Sequence, residues 1–216
     1  MFNITLLDLF LRIPAAFLAL VLHEMVKARC STMLGDPSPK NSGLMSGNPF
    51  KYLEPIGFII TVFFGFGWGR PTPTSPMYYK DIKKGIVITY LTPSLVNLAS
   101  GLLVAVLAGS LNAVIFLLLP LLADNPYMFA AVRWLIFFLH SFALVSVSIA
   151  LFNMIPVPPL DAAKLLQTAI SPNAAIKLAQ NEKVLQIVLL LLMVMGVIGG
   201  VIMPISRQLV GAALAW

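Results

Sequence analysis

The stretch from Gly85 to Ala123 contains no charged residue. A helix needs about 20 mostly apolar residues to cross the hydrocarbon core of a bilayer, so this stretch exceeds one span. Polar residues interrupt it at Ser110-Leu111-Asn112 and favour a break there. We therefore expect a spanning helix before the break, and a hairpin arm or a surface-lying helix over 111–123.

The composition extends this conclusion to the whole chain. Of its 216 residues, 59% are hydrophobic and only 10% are charged, whereas a soluble domain carries about 25% charged residues. So few charges cannot cover a soluble surface. The length suits a single membrane-embedded domain over residues 1–216.

Other apolar stretches predict further helices in the membrane. Spans are expected at 4–22, 128–152 and about 184–204, while 55–68 is short enough to be either a short span or a re-entrant segment. Three prolines within 69–84 exclude a regular helix and predict an extended loop there. We expect an all-α polytopic membrane protein with four to six transmembrane or re-entrant helices.

The distribution of Lys and Arg orients these helices. Segments 27–54, 69–84 and 156–183 are rich in basic residues, whereas 109–127 has none. The positive-inside rule places the first and third on the cytoplasmic side and 109–127 outside. Segment 69–84 joins the cytoplasmic group if 55–68 is re-entrant. This orientation brings His23 and Asp161 near the same membrane face.

The net charge of +6 does not indicate a nucleic-acid partner, because no basic run is interleaved with aromatic residues. The expected surroundings are the lipid bilayer. The single cysteine excludes an intrachain disulfide and a cysteine-rich zinc module.

A His-Glu pair, His23-Glu24, lies at the inner end of the first predicted helix. Ionisable residues in a membrane segment are energetically unfavourable and mark functional sites. In the zinc motif H-E-x-x-H, two histidines on one helix face bind the metal and the glutamate activates its water. Here Lys27 occupies the position of the second histidine. A His-Glu pair alone is a weak signal, since any helix boundary can carry one.

A second motif, N-M-I-P-V-P-P-L-D, runs from Asn153 to Asp161 directly after a predicted span. Its prolines break the helix and leave Asp161 on a rigid turn close to the membrane. Taken alone, Asp161 is more simply interpreted as the N-cap of the next helix.

The two motifs together resemble the site-2 protease family. Three intervening segments are similar to segments of that family, in the same order: LGDPSPKNSGLMSGNPFKYLEPIGF, FGWGRPTPTSP and TPSLVNLASGLL. The match runs from about residue 13 to 170, and the chain is identified as a member of the small bacterial type without a PDZ domain. The resemblance implies an intramembrane zinc peptidase of the bacterial cytoplasmic membrane. Its site would lie near the cytoplasmic face, and its substrates would be transmembrane segments of other proteins.

The resemblance also implies roles for individual residues. His23 matches the first zinc ligand, Glu24 the general base and Asp161 the third ligand. Asn153 matches an asparagine that positions the substrate or the transition state. The departures from the family pattern cluster around the site: Lys27 for the second histidine, Ala162 for a glycine, Pro93-Ser94 for Gly-Pro, and Tyr52 for a histidine found in many relatives.

The residue at position 27 leaves several alternatives open. Catalytic zinc normally keeps three protein ligands and a water, and only two are available here. A protonated lysine repels zinc, whereas a lysine neutralised by burial could bind it. His140 could replace the missing ligand only if the metal lay well inside the membrane. In a third alternative, the Lys27 ammonium takes the place of the metal and bridges Glu24 and Asp161.

Three functional hypotheses follow. The leading one is a site-2-protease-like protein with lost or impaired peptidase activity that binds transmembrane segments. The alternative is an active zinc endopeptidase with a non-standard second ligand. A small-solute or ion transporter is a further alternative, although the sequence lacks the internal repeats typical of that class.

Overall fold

The computed structural model describes residues 6–122 and 126–215, and this part of the chain is helical with no β-strand. The α-helices are α1 (Leu6–Met33), α2 (Ser38–Asn41), α3 (Pro55–Phe64), α4 (Ile82–Leu122), α5 (Pro126–Asn153), α6 (Asp161–Ala169), α7 (Pro172–Gln180), α8 (Glu182–Val194) and α9 (Val197–Leu214). Single turns of 3₁₀ helix occur at Leu44–Ser46, Pro49–Tyr52 and Pro76–Tyr78. The all-α prediction is confirmed.

Four of the described helices are long and apolar enough to cross a membrane. The candidate spans are Leu9–Met33, Ile82–Ile115, Tyr127–Asn153 and Val197–Leu214. Helices α1, α4 and α5 pack against one another, and α9 packs against α4 and α5. The chain is therefore a polytopic membrane protein, as its composition predicts.

Polar contacts between helices fix their relative directions. The Asn97 amide donates to the Ala19 carbonyl, and Lys27 lies over the Tyr90 ring, so α1 and α4 run antiparallel. Helices α5 and α9 are joined by a hydrogen bond between Ser148 and Ser206. Within a bilayer such bonds keep buried hydroxyl groups paired where water is absent.

The first helix is longer than the sequence indicates. The expected span ended at residue 22, but α1 continues to Met33, so His23 lies inside the helix and not at its end. The added turns carry the buried residues Lys27, Ala28 and Ser31. These residues are buried against other parts of the chain, and that burial favours a helix. The local composition alone suggests a polar loop.

The predicted break at 110–112 is wrong. Helix α4 runs without interruption from Ile82 to Leu122. The hydroxyl of Ser110 donates to the Val106 carbonyl one turn earlier, so this residue satisfies its hydrogen-bonding capacity within its own helix.

The last predicted span, at about 184–204, is also wrong. The structure divides this region into α8 and α9 at Gly196, and only α9 qualifies as a candidate span. Gly196 has a φ of 78°, in the left-handed region that glycine enters without steric penalty. Its amide donates to the Met193 carbonyl and closes the end of α8.

The segment 55–68 does not cross the bundle. Helix α3 ends at Gly65, and the chain then returns alongside it, so Gly57 lies directly against Trp68. At the base of this hairpin the Arg70 amide donates to the Tyr52 carbonyl at 2.8 Å. The segment therefore begins and ends on the same side, which makes it re-entrant, and it is followed by the extended loop that the prolines predict.

Apolar contacts hold the re-entrant hairpin in the bundle. Phe58 and Val62 of α3 pack against a row of small residues on α1, namely Ala15, Ala16 and Ala19. Small side chains let helices in a membrane approach closely. The hairpin thus lies beside the helix that carries His23, and its returning segment leads into the loop that reaches Glu24.

Candidate functional site

Four ionisable side chains meet at one end of the bundle. Helix α1 contributes His23, Glu24 and Lys27, and Asp161 is the first residue of α6. Their exposed fractions are only 2%, 4%, 5% and 4%, in that order. The structure thus brings together two motifs that are far apart in the sequence, and it buries the ionisable side chains of both.

The ammonium group of Lys27 lies between two carboxylates. Its Nζ is 2.9 Å from Oε1 of Glu24 and 2.8 Å from Oδ1 of Asp161. Both distances are those of charge-assisted hydrogen bonds. The bridge between Glu24 and Asp161, one of the three alternatives raised for Lys27, is present in the structure.

The second carboxylate oxygen of Asp161 contacts His23. The distance from His23 Nε2 to Asp161 Oδ2 is 2.9 Å. Burial alone raises the pKa of the Asp161 carboxyl, but the Lys27 charge and the contacts with His23 outweigh it, so the pKa lies below its ordinary value. The carboxylate does not cap α6, so the simpler N-cap interpretation is wrong.

The second carboxylate oxygen of Glu24 is held by Thr72, a residue that the sequence does not single out. Thr72 donates to Oε2 from its hydroxyl at 2.8 Å and from its backbone amide at 3.2 Å. A methyl group built on Gly69 would lie 2.8 Å from Cγ of Glu24, so the loop approaches the carboxylate closely. The only sequence feature that could have pointed to Thr72 is the resemblance of its loop to a family segment.

Tyr90 is a second residue that the sequence does not identify. Its ring centroid lies 6.0 Å from Lys27 Nζ, and its hydroxyl is 2.6 Å from the hydroxyl of Thr74. A ring at this distance attracts a cation through its quadrupole. Tyr90 thus adds an aromatic wall on one side of the charged cluster.

Three of the departures from the family pattern are buried near the site, and one of them makes a hydrogen bond. The hydroxyl of Tyr52 donates to the Leu44 carbonyl at 2.6 Å and fastens the loop beside α1. Ala162 is buried in the first turn of α6, next to Asp161. Ser94 is buried on α4, one turn before Asn97. Because Asn97 contacts Ala19 of α1 and the two helices are antiparallel, Ser94 lies close to the height of His23.

The remaining predicted site residue, Asn153, is the last residue of α5. Its amide nitrogen donates to the Ile149 carbonyl of its own helix at 3.0 Å, so the side chain is held at the start of the proline loop that leads to Asp161. His140 lies on the same helix, thirteen residues earlier. That separation is about 20 Å along a helix.

These donors do not fit a catalytic zinc site. Both oxygens of Asp161 and both oxygens of Glu24 already have partners, and one shared partner is a cation. Within residues 6–122 and 126–215, no group of three or more His, Cys, Asp or Glu side chains is arranged to hold a metal ion. His140 accordingly does not join His23 and Asp161. A three-ligand site would need a further donor where Lys27 stands.

Comparisons with known proteins agree with the resemblance seen in the sequence. The sequence model of peptidase family M50 matches residues 55–196, more than half of the chain. The chain is 30% identical over 175 residues to a Bacillus subtilis (strain 168) protein named "Putative zinc metalloprotease YwhC". The alignment covers 80% of this chain and 75% of that protein. No solved structure gives a significant match.

Proposed function

The chain belongs to peptidase family M50, the site-2 proteases, and from that premise we propose that it binds transmembrane segments without zinc-dependent cleavage. In this proposal the helical scaffold of the family is kept as a single membrane domain. The hydrolytic centre is replaced by a buried ion-pair cluster of Glu24, Lys27 and Asp161.

The observation that carries this proposal is the position of the Lys27 ammonium. It contacts one oxygen of each carboxylate that the resemblance assigns to the zinc chemistry. Two buried carboxylates need a compensating positive charge, and here the protein supplies it from its own chain. A zinc ion at the same carboxylate oxygens would face strong repulsion from the ammonium group.

The contacts of Glu24 also support the proposal. A general base must lie within hydrogen-bond reach of the water from which it takes a proton. Oxygen Oε1 of Glu24 is engaged by Lys27, and Oε2 accepts two hydrogen bonds from Thr72. The carboxylate is therefore committed to structural contacts, and Asn153 retains at most a role in positioning a bound segment.

We place this centre at the cytoplasmic face of a bacterial membrane. The three basic segments of the sequence meet at the end of the bundle that holds Asp161. Arg70 contacts Tyr52, and the Ser75 amide donates to Asp36, so segments 27–54 and 69–84 lie together. Lys27 connects both to segment 156–183 through Asp161. The positive-inside rule supports the cytoplasmic side for all three.

An active zinc endopeptidase is the second candidate, and the printed name of the Bacillus relative favours it. It would require Lys27 to leave the two carboxylates and a further ligand to join His23 and Asp161. The two candidates differ in metal content, which can be measured without a substrate.

The test is the zinc content of the purified, detergent-solubilised protein, beside Lys27→His and His23→Ala variants. We expect no bound zinc in the native chain and about one zinc per chain in Lys27→His, since this variant restores a third ligand. The double variant Lys27→His/His23→Ala should lose that zinc. About one zinc per native chain, lost in His23→Ala, would refute the proposal in favour of the active peptidase.

Binding is tested separately with fluorescent single-pass transmembrane peptides reconstituted with the protein in vesicles. We expect energy transfer between protein and peptide, and an unchanged peptide mass after long incubation. Release of two peptide fragments that requires Glu24 would contradict the proposal.

A further inference from the structure

A cavity of about 260 Å³ lies beside the charged cluster and has no part in the proposed function. It is lined by the loop and 3₁₀ turn at Thr74 and Pro76, by Ile86 and Tyr90 of α4, and by Lys164, Gln167 and Thr168 of α6. Three separate parts of the chain thus form a single concave surface, at the end of the bundle that carries the basic segments.

The charge of this cavity is positive. Lys164 is half-buried in its wall, and no carboxylate lies within 4.0 Å of its ammonium group in the described part of the chain. Lys83 precedes Ile86 by three residues, so it lies on the same face of α4 near the cavity. The nearby Asp81 pairs with Lys84, at 3.7 Å. The cavity therefore suits an anion.

The other lining groups are polar in the loop and on α6 and apolar at Pro76 and Ile86. Gln167 of α6 adds a side-chain amide, whereas the hydroxyl of Thr168 already donates to the Leu165 carbonyl. Thr74 and Tyr90 share a hydrogen bond of 2.6 Å. That bond uses one of their two hydroxyl hydrogens, so the second remains available to a ligand. Ile86 and Pro76 line the cavity without polar side chains. A ligand that fits both features is anionic at one end and apolar at the other.

The position of the cavity indicates the source of such a ligand. The α4 candidate span begins at Ile82, so Ile86 and Tyr90 lie in its first turns. Lipid headgroups meet the hydrocarbon core at this level, and basic pockets between membrane helices bind anionic headgroups. We propose that the cavity binds the phosphodiester of an anionic phospholipid. Lys164 pairs with the phosphate, the Thr74–Tyr90 hydroxyl pair donates to it, and Ile86 contacts the start of the acyl chains.

This site adjoins the ion-pair cluster without depending on its function. The Tyr90 ring lines the cavity and also lies 6.0 Å from Lys27 Nζ. A bound lipid would therefore occupy the bilayer-level approach to the cluster from the α4–α6 side. Lipid binding at this cavity does not require that the chain hydrolyse peptides, or that it fail to.

Native mass spectrometry of the full chain in neutral detergent tests the site, with phosphatidylglycerol, phosphatidylcholine and soluble glycerol 3-phosphate as probes. We expect one tightly bound phosphatidylglycerol per chain and weaker binding of phosphatidylcholine, which has no net charge. Lys164→Gln should weaken phosphatidylglycerol binding about fivefold, the effect of one cation near an anionic lipid. Tyr90→Phe should weaken it less, because only a hydroxyl is lost.

Lys177→Gln is the matched control, since Lys177 is an exposed residue of α7 outside the cavity. It makes the same change in net charge and should alter the affinity less than twofold. Equal losses in Lys164→Gln and Lys177→Gln would overturn the proposal in favour of diffuse attraction. Equal affinity for the two lipids would also overturn it. Binding of glycerol 3-phosphate as tight as that of the lipid would assign the cavity to a soluble phosphate ester.

Discussion

The ammonium nitrogen of Lys27 lies 2.8 Å from Oδ1 of Asp161, where α1 meets the start of α6. The two residues come from the two motifs that carry the family resemblance. Their ion pair joins the two motifs directly. Lysine at position 27 therefore holds the two motifs together by an ion pair, within the fold that positions them.

Removing the Lys27 charge should destabilise the fold. Lys27→Met keeps an unbranched side chain but leaves two buried carboxylates without their cation, and we expect a loss of about 3–5 kcal/mol in the free energy of unfolding. Thermal unfolding in detergent and SDS titration measure this loss. Lys84→Met is the control, because Lys84 pairs with Asp81 at the exposed surface, where such pairs contribute little. Equal stability of Lys27→Met and the native protein would refute a structural role for the cluster.

The hydroxyl of Thr72 should stabilise the protein through Glu24. Thr72→Val removes the 2.8 Å hydrogen bond to Oε2 with little change in shape. We expect a loss of about 2 kcal/mol in unfolding free energy, since hydrogen bonds to charged groups contribute about 1.5–3 kcal/mol. Thr72→Ser keeps the hydroxyl and should remain close to the native protein in the same measurement. A native-like Thr72→Val protein beside a destabilised Thr72→Ser protein would show that the methyl group, and not the hydroxyl, is the stabilising part.

The membrane helices could be predicted because their signal is local. Length and hydropathy alone locate helices near 4–22, 128–152 and the first half of 85–123. The error at the end of α1 arises because that boundary depends on other parts of the chain. Helix α1 extends to Met33 because Ser31 donates to Asp36 and Lys27 reaches Asp161, and neither partner is visible in the local sequence.

The site was only partly predictable, for a related reason. His23, Glu24 and Asp161 belong to motifs whose spacing can be read along the chain. Thr72 and Tyr90 take part through contacts between distant segments, and their residue types are common in any loop or helix. The order of the family segments predicts that the loop carrying Thr72 is part of the fold. It does not predict which hydroxyl group of that loop contacts the Glu24 carboxylate.

The re-entrant hairpin should tolerate no side chain at Gly57. A methyl group there would overlap the Trp68 carbonyl oxygen and the Trp68 ring. Because this overlap involves backbone, we expect Gly57→Ala to displace the segment that follows α3 and to lower the free energy of unfolding by about 1–3 kcal/mol. The measurement is the melting temperature in detergent. Gly200→Ala is the matched control in another helix, since a methyl group at Gly200 meets nothing within 4 Å. A Gly57→Ala protein as stable as Gly200→Ala would contradict the close approach.

The loop carboxylate Asp36 should make stability depend on pH. It accepts hydrogen bonds from the Ser31 hydroxyl and from the amides of Ser38 and Ser75, and so ties the end of α1 to two loops. Burial raises the pKa of Asp36, but these bonds outweigh that effect, so the pKa lies below its ordinary value of 3.8. The folded state therefore holds this proton less tightly than the unfolded state does.

The stabilisation by ionised Asp36 is complete above the unfolded pKa and is lost as the pH falls through it towards the folded pKa. At neutral pH the native protein should melt at a higher temperature than Asp36→Asn, and this gap should narrow below about pH 4. Asp81→Asn makes the same charge change on the exposed start of α4 and serves as the control. Melting curves in detergent between neutral pH and pH 3 measure the gap. A constant difference between the native protein and Asp36→Asn across this range would show that the hydrogen bonds at Asp36 do not favour its ionised form.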